Sequence, residues 1–452
     1  MLRMKTRVMV LCASLLVPGA GGRPFAQNAT ADAGLAERAG AVTMVVATDI
    51  HYLSPELRDN GEAFRAFMAA GDGRQLDYVD EITDAFARDV RRIKPDAVVL
   101  SGDLTNNGER QSHQALARKL RGLARASGAR VFVVPGNHDI LNPWARGFEG
   151  KRQYRVDSVT PEEFRTIYGD AGYSDALSAD PSSLSYLAAP SDSTWLLMLD
   201  TCEYRFNRAL GRPGTRGALG SSTLEWVRQC AERARERHAR IVVVMHHNLV
   251  DHSELLHSGY TLDNSDEVRK LFGTLGLHIF LSGHLHIQDI RSVDGGPAPL
   301  HDIATGSLSV YPQHYGVLER LPSGVVEYRT SRVDVEGWAR ETAVRQEPLR
   351  AFKTYSEAHF IDASYRKTFA ALTAAGRYSD RDGKLMADTM SRLNAHYFAG
   401  TSGAVRDAVV TSEGYRLWMA ATEPAFLKRY VLSMVPKMVS DHNHVRIPPP
   451  CP

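Results

Sequence analysis

Five short apolar segments in this chain each end at Asp, Asn or His, and this recurrence constrains the fold more than any other feature. The segments span residues 44–47, 97–100, 131–134, 241–245 and 279–281. Runs that are short, β-branched and continuously apolar are typical of strands buried on both faces of a sheet. Open sheets of such strands bind ligands at the carboxyl ends of the strands. We therefore expect the five segment ends to meet at one site.

The residues that follow these segments are candidate metal ligands. They comprise two carboxylates, one amide and four imidazoles, namely Asp49, His51, Asp103, Asn137, His246, His284 and His286. A set of nitrogen and oxygen ligands without thiolates suits two borderline divalent ions such as Mn, Fe or Zn. Two such ions about 3.5 to 4 Å apart can hold a hydroxide nucleophile and bind phosphate oxygens. The pattern therefore predicts hydrolysis of a phosphoester.

Composition excludes several classes of partner. The 452 residues are 43% hydrophobic, which is enough for a large core and for more than one domain. The formal net charge is +2 with both signs interspersed, so no basic surface points to a nucleic-acid polymer. Beyond the N-terminal segment, no stretch reaches the ~18 apolar residues of a membrane span. We expect neither nucleic acid nor a stable membrane span, and the oligomeric state is left open.

The N-terminus has the layout of a secretory signal peptide. Three basic residues precede the apolar run 8–17, which is followed by Gly, Ala and polar residues. Cleavage after Ala20, Ala26 or Ala31 is compatible with this layout, and the last of these sites follows the Ala29-Thr30-Ala31 pattern. We assign residues 1–31 to a signal peptide and leader, and expect an exported protein, periplasmic or secreted. A buried N-terminal helix is the alternative, and it fits the flanking residues less well.

The cysteines do not indicate a metal site or a disulfide framework. No small residue directly precedes Cys12, which disfavours a lipoprotein. Export would leave Cys202, Cys230 and Cys451, hence at most one intramolecular disulfide. Two buried small side chains at Cys202 and Cys230 are the simpler interpretation.

Residues 41–335 have the pattern of an α/β domain. Apolar strands alternate with amphipathic helices up to residue 134, as in parallel α/β folds. A long, turn-rich connection at 52–78 is expected to wall the pocket. Further strands are predicted around 195–199, 302–304, Val310 and 325–328, and strand signals stop near Val333. We predict a two-sheet αββα sandwich.

Residues 348–445 are predicted to form a smaller all-α C-terminal domain. Met386, Met390, Leu393 and Tyr397 share one helical face. A second apolar stripe follows Pro424 and consists of Phe426, Leu427, Tyr430, Val431 and Met434. We interpret that stripe as core against the first domain, and not as a partner or membrane surface. The final five residues are predicted to be an extended tail.

In order, the motifs are Asp49-Ile50-His51, Gly102-Asp103, Gly136-Asn137-His138-Asp139, His246 and Gly283-His284-Leu285-His286. Each is weak alone, but five in one order at strand ends are specific. The chain here resembles the calcineurin-like metallophosphoesterase superfamily over residues 42–333. The resemblance implies that Asp49, His51 and His286 hold a first metal. It likewise implies that Asn137, His246 and His284 hold a second, with Asp103 bridging.

The resemblance also implies roles around the metals. His138 would act as general acid or charge stabiliser, with Asp139 fixing its ring. His246 and His247 compete for one ligand position. The family pattern favours His246, with His247 facing the substrate. Asn106 stands where the family often has Asp, and Asn248 where it usually has Pro. Both border the pocket, and we predict that Asn106 and His247 bind substrate.

More narrowly, Gly102 to Thr105 and Met245 to His247 look like bacterial class III cyclic nucleotide phosphodiesterases with a helical C-terminal extension. The leading hypothesis is an exported dinuclear-metal phosphodiesterase acting on cyclic nucleotides, either 3′,5′ or 2′,3′, with a metal-bridging hydroxide as nucleophile. A phosphomonoesterase or nucleotidase on the same fold is the second hypothesis. A non-catalytic metal-binding scaffold is the third, and the paired His138 and Asp139 disfavour it.

Overall fold

A computed structural model describes residues 40–71, 73–436 and 440–449. The predicted signal peptide lies outside the described residues, as do Cys12 and Cys451. Cys202 and Cys230 are free thiols; Cys230 is buried as expected, whereas Cys202 is only half-buried. None of the described helices is both long and apolar enough to cross a membrane.

Fifteen strands and fourteen α-helices make up the described chain. The strands are β1 Val42–Ala47, β2 Ala97–Ser101, β3 Arg130–Val134, β4 Arg146–Glu149, β5 Arg152–Arg155, β6 Ser178–Ala179, β7 Tyr186–Ala188, β8 Thr194–Leu199, β9 Arg240–Met245, β10 Ile279–Ser282, β11 Asp289–Val293, β12 Leu300–Ala304, β13 His314–Arg320, β14 Val326–Arg332 and β15 His444–Ile447. The helices are α1 Glu62–Ala70, α2 Val79–Ile93, α3 Arg110–Ser127, α4 Pro161–Ile167, α5 Asn207–Leu210, α6 Ser221–Glu236, α7 Ser265–Leu275, α8 Val335–Glu341, α9 Glu347–Arg350, α10 Phe352–Ala375, α11 Asp380–Phe398, α12 Arg406–Val410, α13 Glu413–Ala420 and α14 Ala425–Met434.

Two sheets pack face to face between layers of helices. The first has the order β15-β14-β13-β1-β2-β3 and the second the order β11-β12-β10-β9-β8-β7-β6. Met44 and Val99 of the first sheet share a buried cluster with Leu196 and Val244 of the second. Helices α2 and α3 cover the outer face of the first sheet, and α6 and α7 that of the second. The predicted αββα sandwich is confirmed.

The parallel strands carry the segment ends to one end of the sandwich. β1, β2 and β3 pair in parallel, as do β8, β9, β10 and β12. Helix α2 buries Ile82, Phe86 and Val90 on one face and ends at Lys94, whose φ of 53° is left-handed. That helix returns the chain to the start of β2, and so makes the parallel pairing with β1 possible.

Two strand predictions differ from the structure. No strand forms at Val310, which lies buried in the loop before β13. The hydroxyls of Ser307 and Ser309 donate to the Asp49 carbonyl at 2.7 and 3.1 Å, and this holds the segment as a loop around the end of β1. β15, which has no clear sequence pattern, pairs antiparallel with β14, so the chain returns to the first sheet after the helices.

The helical extension shares a hydrophobic core with the loop after β10. Leu285 and Ile287 of that loop join a buried cluster with residues of α11, α13 and α14, including Met386, Leu393 and Trp418. In the predicted C-terminal stripe, Tyr430, Val431 and Met434 are buried, whereas Phe426 is 54% exposed. Because Leu285 stands between His284 and His286, the extension supports a candidate ligand loop directly.

A buried ion cluster attaches the returning chain to the second sheet. The two oxygens of Asp289 lie 2.9 Å from His252 Nδ1 and 2.6 Å from His442 Nδ1. Asp302 lies 3.2 Å from His252 Nε2. Burial lowers the pKa of His252, but Asp302 and Asp289 outweigh this effect and raise it.

We expect Asp289→Asn to lower the free energy of unfolding by about 3 kcal/mol, since the buried His252 imidazolium loses a charged partner. The raised pKa of His252 means that its contribution is complete below the ordinary value of 6.5 and is lost as pH rises through the folded value. Urea unfolding should therefore show a larger effect at about pH 6 than at about pH 9. Asp266→Asn, on a side chain 83% exposed, is the control. Equal losses at both pH values would contradict this account.

Candidate metal centre

All seven predicted ligands meet at the carboxyl ends of the strands. Three groups of residues each bring candidate ligand atoms within 4.8 Å of one another. They are Asp49 with His51 and His286, His51 with Asp103 and His138, and Asp103 with His246 and His284. The first and third groups match the two predicted metal sites, and Asn137 adjoins the third.

The first group presents an unsatisfied buried oxygen. His51 Nε2 and His286 Nε2 are 3.0 Å apart, and Asp49 Oδ1 lies 3.8 and 3.4 Å from them. Asp49 Oδ2 accepts hydrogen bonds from the Thr48 hydroxyl and the His284 backbone N–H, at 2.8 and 2.9 Å. Among the described residues, none donates a hydrogen bond to the buried Oδ1. A cation would satisfy it, so this donor set fits a divalent ion.

The third group has its ligand atoms oriented by hydrogen bonds on their far sides. His246 Nδ1 donates to the Ser101 carbonyl at 3.0 Å, leaving Nε2 3.1 Å from Asn137 Oδ1 and 3.4 Å from Asp103 Oδ1. His284 Nε2 donates to the Gly259 carbonyl at 2.8 Å, which leaves Nδ1 for a metal. Such partners fix the ring and tautomer of a ligating histidine. This group also fits a divalent ion.

The two oxygens of Asp103 face the first and the third groups. Oδ1 faces His246, and Oδ2 lies 3.7 Å from His51 Nε2. Oδ1 also accepts a hydrogen bond from the His138 backbone N–H at 2.9 Å. The geometry is that expected of a carboxylate between two metal positions.

The backbone is strained at most of these positions. Five of the seven candidate ligands have left-handed φ angles of 46–69°: Asp49, His51, Asp103, His284 and His286. Such conformations cost of order 1–3 kcal/mol each outside glycine and cluster at functional sites. The backbone at the strand ends is therefore in conformations that bring the candidate ligand side chains together at a local cost in free energy.

The buried carboxylates and imidazoles shift one another's pKa values. Burial raises the pKa of Asp103, but His246 and His138 lower it well below its usual value. Burial also raises the pKa of Asp49, but His286 lowers it, and the pKa is lowered overall. Burial lowers the pKa of His246, whereas Asp103 and Asp49 raise it to about 9. Both carboxylates are thus ionised at neutral pH, and a metal ion would displace a proton from His246.

A glycine in the loop after β3 lets Asp103 approach. A Cβ added at Gly136 would lie 2.1 Å from both the backbone N and Oδ1 of Asp103. We expect Gly136→Ala to displace Asp103 and lower bound Mn²⁺ and phosphoester hydrolysis about tenfold or more. Gly122→Ala, in α3 with nothing within 4 Å of the new Cβ, is the matched control. Elemental analysis showing wild-type metal content in Gly136→Ala would contradict the prediction.

His138 is oriented toward the two groups by backbone hydrogen bonding. Its Nδ1 donates to the Asn106 carbonyl at 2.8 Å, and Nε2 lies 4.0 Å from Asp103 Oδ2. The ring is 18% exposed. This placement suits a proton donor or charge stabiliser beside the metals.

Asp139 does not fix the His138 ring, contrary to the expectation from the motif. Its carboxylate accepts hydrogen bonds from the backbone N–H groups of Gly136, Leu104 and Thr105 at 2.8, 3.0 and 2.9 Å. The Thr105 hydroxyl also donates to it, at 2.8 Å. Burial raises the pKa of Asp139 to about 7, although these bonds favour the carboxylate. Asp139 joins the loops after β2 and β3 and acts by positioning them.

Asn106 and His247, the two predicted substrate-binding residues, lie next to His138 and His246 respectively. Both are completely buried. His247 accepts at Nδ1 from the Thr201 hydroxyl at 2.7 Å and donates from Nε2 to the Thr215 carbonyl at 3.0 Å. The structure shows both residues supporting their neighbours, and substrate contact by either stays a prediction. Asn248 joins two ligand loops by donating to the Ser282 hydroxyl and Gly283 carbonyl, at 2.8 and 3.2 Å.

Arg74 is a candidate functional residue that no sequence motif indicated. It lies in the connection expected to wall the pocket, and its Nη1 is 3.2 Å from His51 Nδ1 and 3.4 Å from Asn106 Oδ1. The one available signal was its position in a long insertion beside His51. A guanidinium at this point could bind an anionic substrate.

Comparisons with known proteins agree with this geometry. Residues 42–288 match the family model of calcineurin-like phosphoesterases, and residues 334–441 match that of the C-terminal domain of cyclic nucleotide phosphodiesterase. No curated protein sequence matches significantly.

The solved structures to which this protein is similar share little sequence with it. A dimetal phosphatase from Danio rerio is 14% identical with a TM-score of 0.46, over 64% of this chain and 96% of its own. A protein named as a 5′-nucleotidase from Staphylococcus aureus is 14% identical with a TM-score of 0.37, over 62% and 50%. GAP50 of Plasmodium is 10% identical with a TM-score of 0.35, over 65% and 85%. The match to the calcineurin-like phosphoesterase family model spans more than half of the chain. The chain belongs to the calcineurin-like phosphoesterase family.

Proposed function

We propose that the protein is a phosphodiesterase that hydrolyses cyclic nucleotides at two divalent ions held by the seven strand-end ligands. The observation that carries this proposal is the position of Asp103, whose Oδ1 lies 3.4 Å from His246 Nε2 and whose Oδ2 lies 3.7 Å from His51 Nε2. The substrate class is supported by the match of residues 334–441 to the C-terminal domain of cyclic nucleotide phosphodiesterase.

The side chains around the ligands have separable tasks. Two divalent ions here would supply activation of a water nucleophile and neutralisation of phosphate charge. Asp49, His51 and His286 would hold one ion and Asn137, His246 and His284 the other, with Asp103 between them. His138 keeps a proton on Nδ1 through the Asn106 carbonyl, so Nε2 is the atom that donates a proton to the leaving oxygen.

The experiment compares hydrolysis of bis-p-nitrophenyl phosphate and p-nitrophenyl phosphate by Mn²⁺-loaded protein. The proposal predicts faster diester cleavage, followed by turnover of 3′,5′- or 2′,3′-cyclic nucleotides in a panel. A preference for the monoester would make the protein a phosphomonoesterase or nucleotidase. Tightly bound metal without any hydrolysis would instead support the hypothesis of a non-catalytic metal-binding scaffold.

We also propose that the protein acts outside the cytoplasm, on the basis of the residue pattern at 1–31. Expression of the full chain in a bacterial host and N-terminal sequencing of the product test this. A new N-terminus after Ala20, Ala26 or Ala31 in an extracytoplasmic fraction is expected. A full-length cytoplasmic product would contradict export.

We expect Arg74→Gln to raise KM for a diester about tenfold with a smaller change in kcat, because a charge-assisted hydrogen bond to phosphate is lost. Arg74→Lys should recover part of the loss. Arg65→Gln is the control, since Arg65 is exposed in the same insertion and donates to the Asn60 carbonyl at 2.7 Å. An unchanged KM in Arg74→Gln would remove this residue from substrate binding.

A further inference from the structure

A cavity of about 470 Å³ lies at the end of the sandwich opposite the metal centre. Its walls include the first residues of β9 and β14, Arg240 and Val326, and the last residue of β13, Arg320. The candidate ligands follow the carboxyl ends of β1, β2, β9 and β10, so the full length of the strands separates the two places. We call this space the basal cavity. Its volume is in the range of sites for small organic ligands.

The mouth of the basal cavity is cationic. Arg240 comes from the second sheet and Arg320 from the first, and His278 and His301 also line the cavity. Among the described lining residues there is no carboxylate. Within the described part of the chain, the Arg320 guanidinium makes two long hydrogen bonds, 3.5 Å each, to the hydroxyls of Ser193 and Thr194. Guanidinium groups gathered in this way without an acidic partner favour a bound anion.

Mutual repulsion supports the same interpretation. Burial lowers the pKa of Arg320, and the charge of Arg240 lowers it further. Burial and Arg240 act in the same sense on the pKa of His278. Two sheets thus bring like charges together at one opening, and an anion between them would relieve the repulsion.

The floor of the basal cavity is apolar. Val242, Val326 and Ile447 line it, and all three belong to the buried cluster between the two sheets. Prolines form much of the rim, at positions 297, 299, 322, 448 and 449. A bare inorganic anion would leave this surface in contact with water. A ligand with an apolar body and an anionic group satisfies both parts of the cavity.

We propose that the basal cavity binds a small organic anion, with its apolar body on the floor and its acidic group between Arg240 and Arg320. This site is separate from the phosphoesterase centre and does not depend on its function. The ligand class is an aromatic or aliphatic carboxylate, sulfonate or phosphate.

The test uses two fluorescent probes with the full chain. One is 8-anilinonaphthalene-1-sulfonate, and the other is N-phenyl-1-naphthylamine, which has the same aromatic body without the sulfonate. Saturable enhancement is expected for the sulfonate. In Arg240→Gln/Arg320→Gln its Kd should rise about tenfold, whereas binding of the neutral probe should change less than twofold. Arg228→Gln, on an exposed arginine of α6, is the charge control.

A second variant tests the location without changing charge. Ala298 lines the cavity, and a Trp side chain in its place would fill the cavity. Ala298→Trp should therefore abolish the sulfonate binding that Arg240→Gln/Arg320→Gln weakens. The urea concentration at the midpoint of unfolding should stay at the wild-type value in all these variants, which shows that they fold. Equal sulfonate binding by wild type and double variant would overturn the proposal. So would tighter binding of the neutral probe, or no saturable binding at all.

Discussion

Replacing Asp103 by Asn is expected to lower kcat for a diester by about three orders of magnitude, because one side chain serves both metal positions. Asp103 Oδ1 lies 3.4 Å from His246 Nε2 and Oδ2 lies 3.7 Å from His51 Nε2. The amide removes the negative charge and one of these two acceptor oxygens. Bound Mn²⁺, measured by elemental analysis, should fall from two ions per chain to one or none.

Asp180→Asn is the matched control for this loss. Asp180 is 1% exposed, and its carboxylate accepts from the hydroxyls of Ser182, Ser183 and Thr223 at 2.6–2.7 Å. It is not part of either ligand group. Its replacement should reduce stability without changing metal content or the rate per folded molecule. Asp103→Asn with wild-type activity would exclude a bridging role.

Replacing His138 by Gln is expected to lower kcat by about 10²- to 10⁴-fold, the usual contribution of general acid catalysis. The metal content should stay unchanged, because the predicted ligand set does not include His138. If Nε2 donates a proton to the leaving oxygen, a cyclic nucleotide with its poor alcohol leaving group should lose far more rate than bis-p-nitrophenyl phosphate. Steady-state kinetics on both substrates measures this difference.

His257→Gln controls for general effects of losing an imidazole near the site, since His257 is exposed on the loop preceding Tyr260. Equal losses on both substrates would assign His138 to charge stabilisation and not to proton transfer. No loss on either substrate would remove it from the chemistry.

The convergence of the seven candidate ligands could be predicted from sequence because each of them follows a short apolar strand. The position of a residue at the end of a strand can be read from the local sequence. Because β1, β2 and β3 pair in parallel, the residues that follow them lie close together at one edge of the sheet. The sandwich followed for the same reason. The left-handed backbone at Asp49 and Asp103 could not be predicted from sequence, since residues other than glycine rarely adopt it.

The features that sequence reasoning missed depend on contacts between distant residues. The side chain of Arg74 contacts that of Asn106, which lies 32 positions later in the chain. The spacing of apolar residues in the sequence does not predict a contact of this kind. Asp139 was assigned to its chain neighbour His138, but in the structure it accepts hydrogen bonds from the loop after β2. β15 is a four-residue strand whose partner lies more than a hundred residues earlier. In each case tertiary packing decided the outcome.

The most direct test of the central claim is the number and coupling of the ions at this site. Purified protein loaded with Mn²⁺ should contain two ions per chain by elemental analysis and give the electron paramagnetic resonance spectrum of an exchange-coupled pair. Removal of the ions by a chelator should abolish diester hydrolysis, and their return should restore it. One ion per chain, an uncoupled spectrum, or hydrolysis that survives the chelator would contradict a dinuclear phosphoesterase.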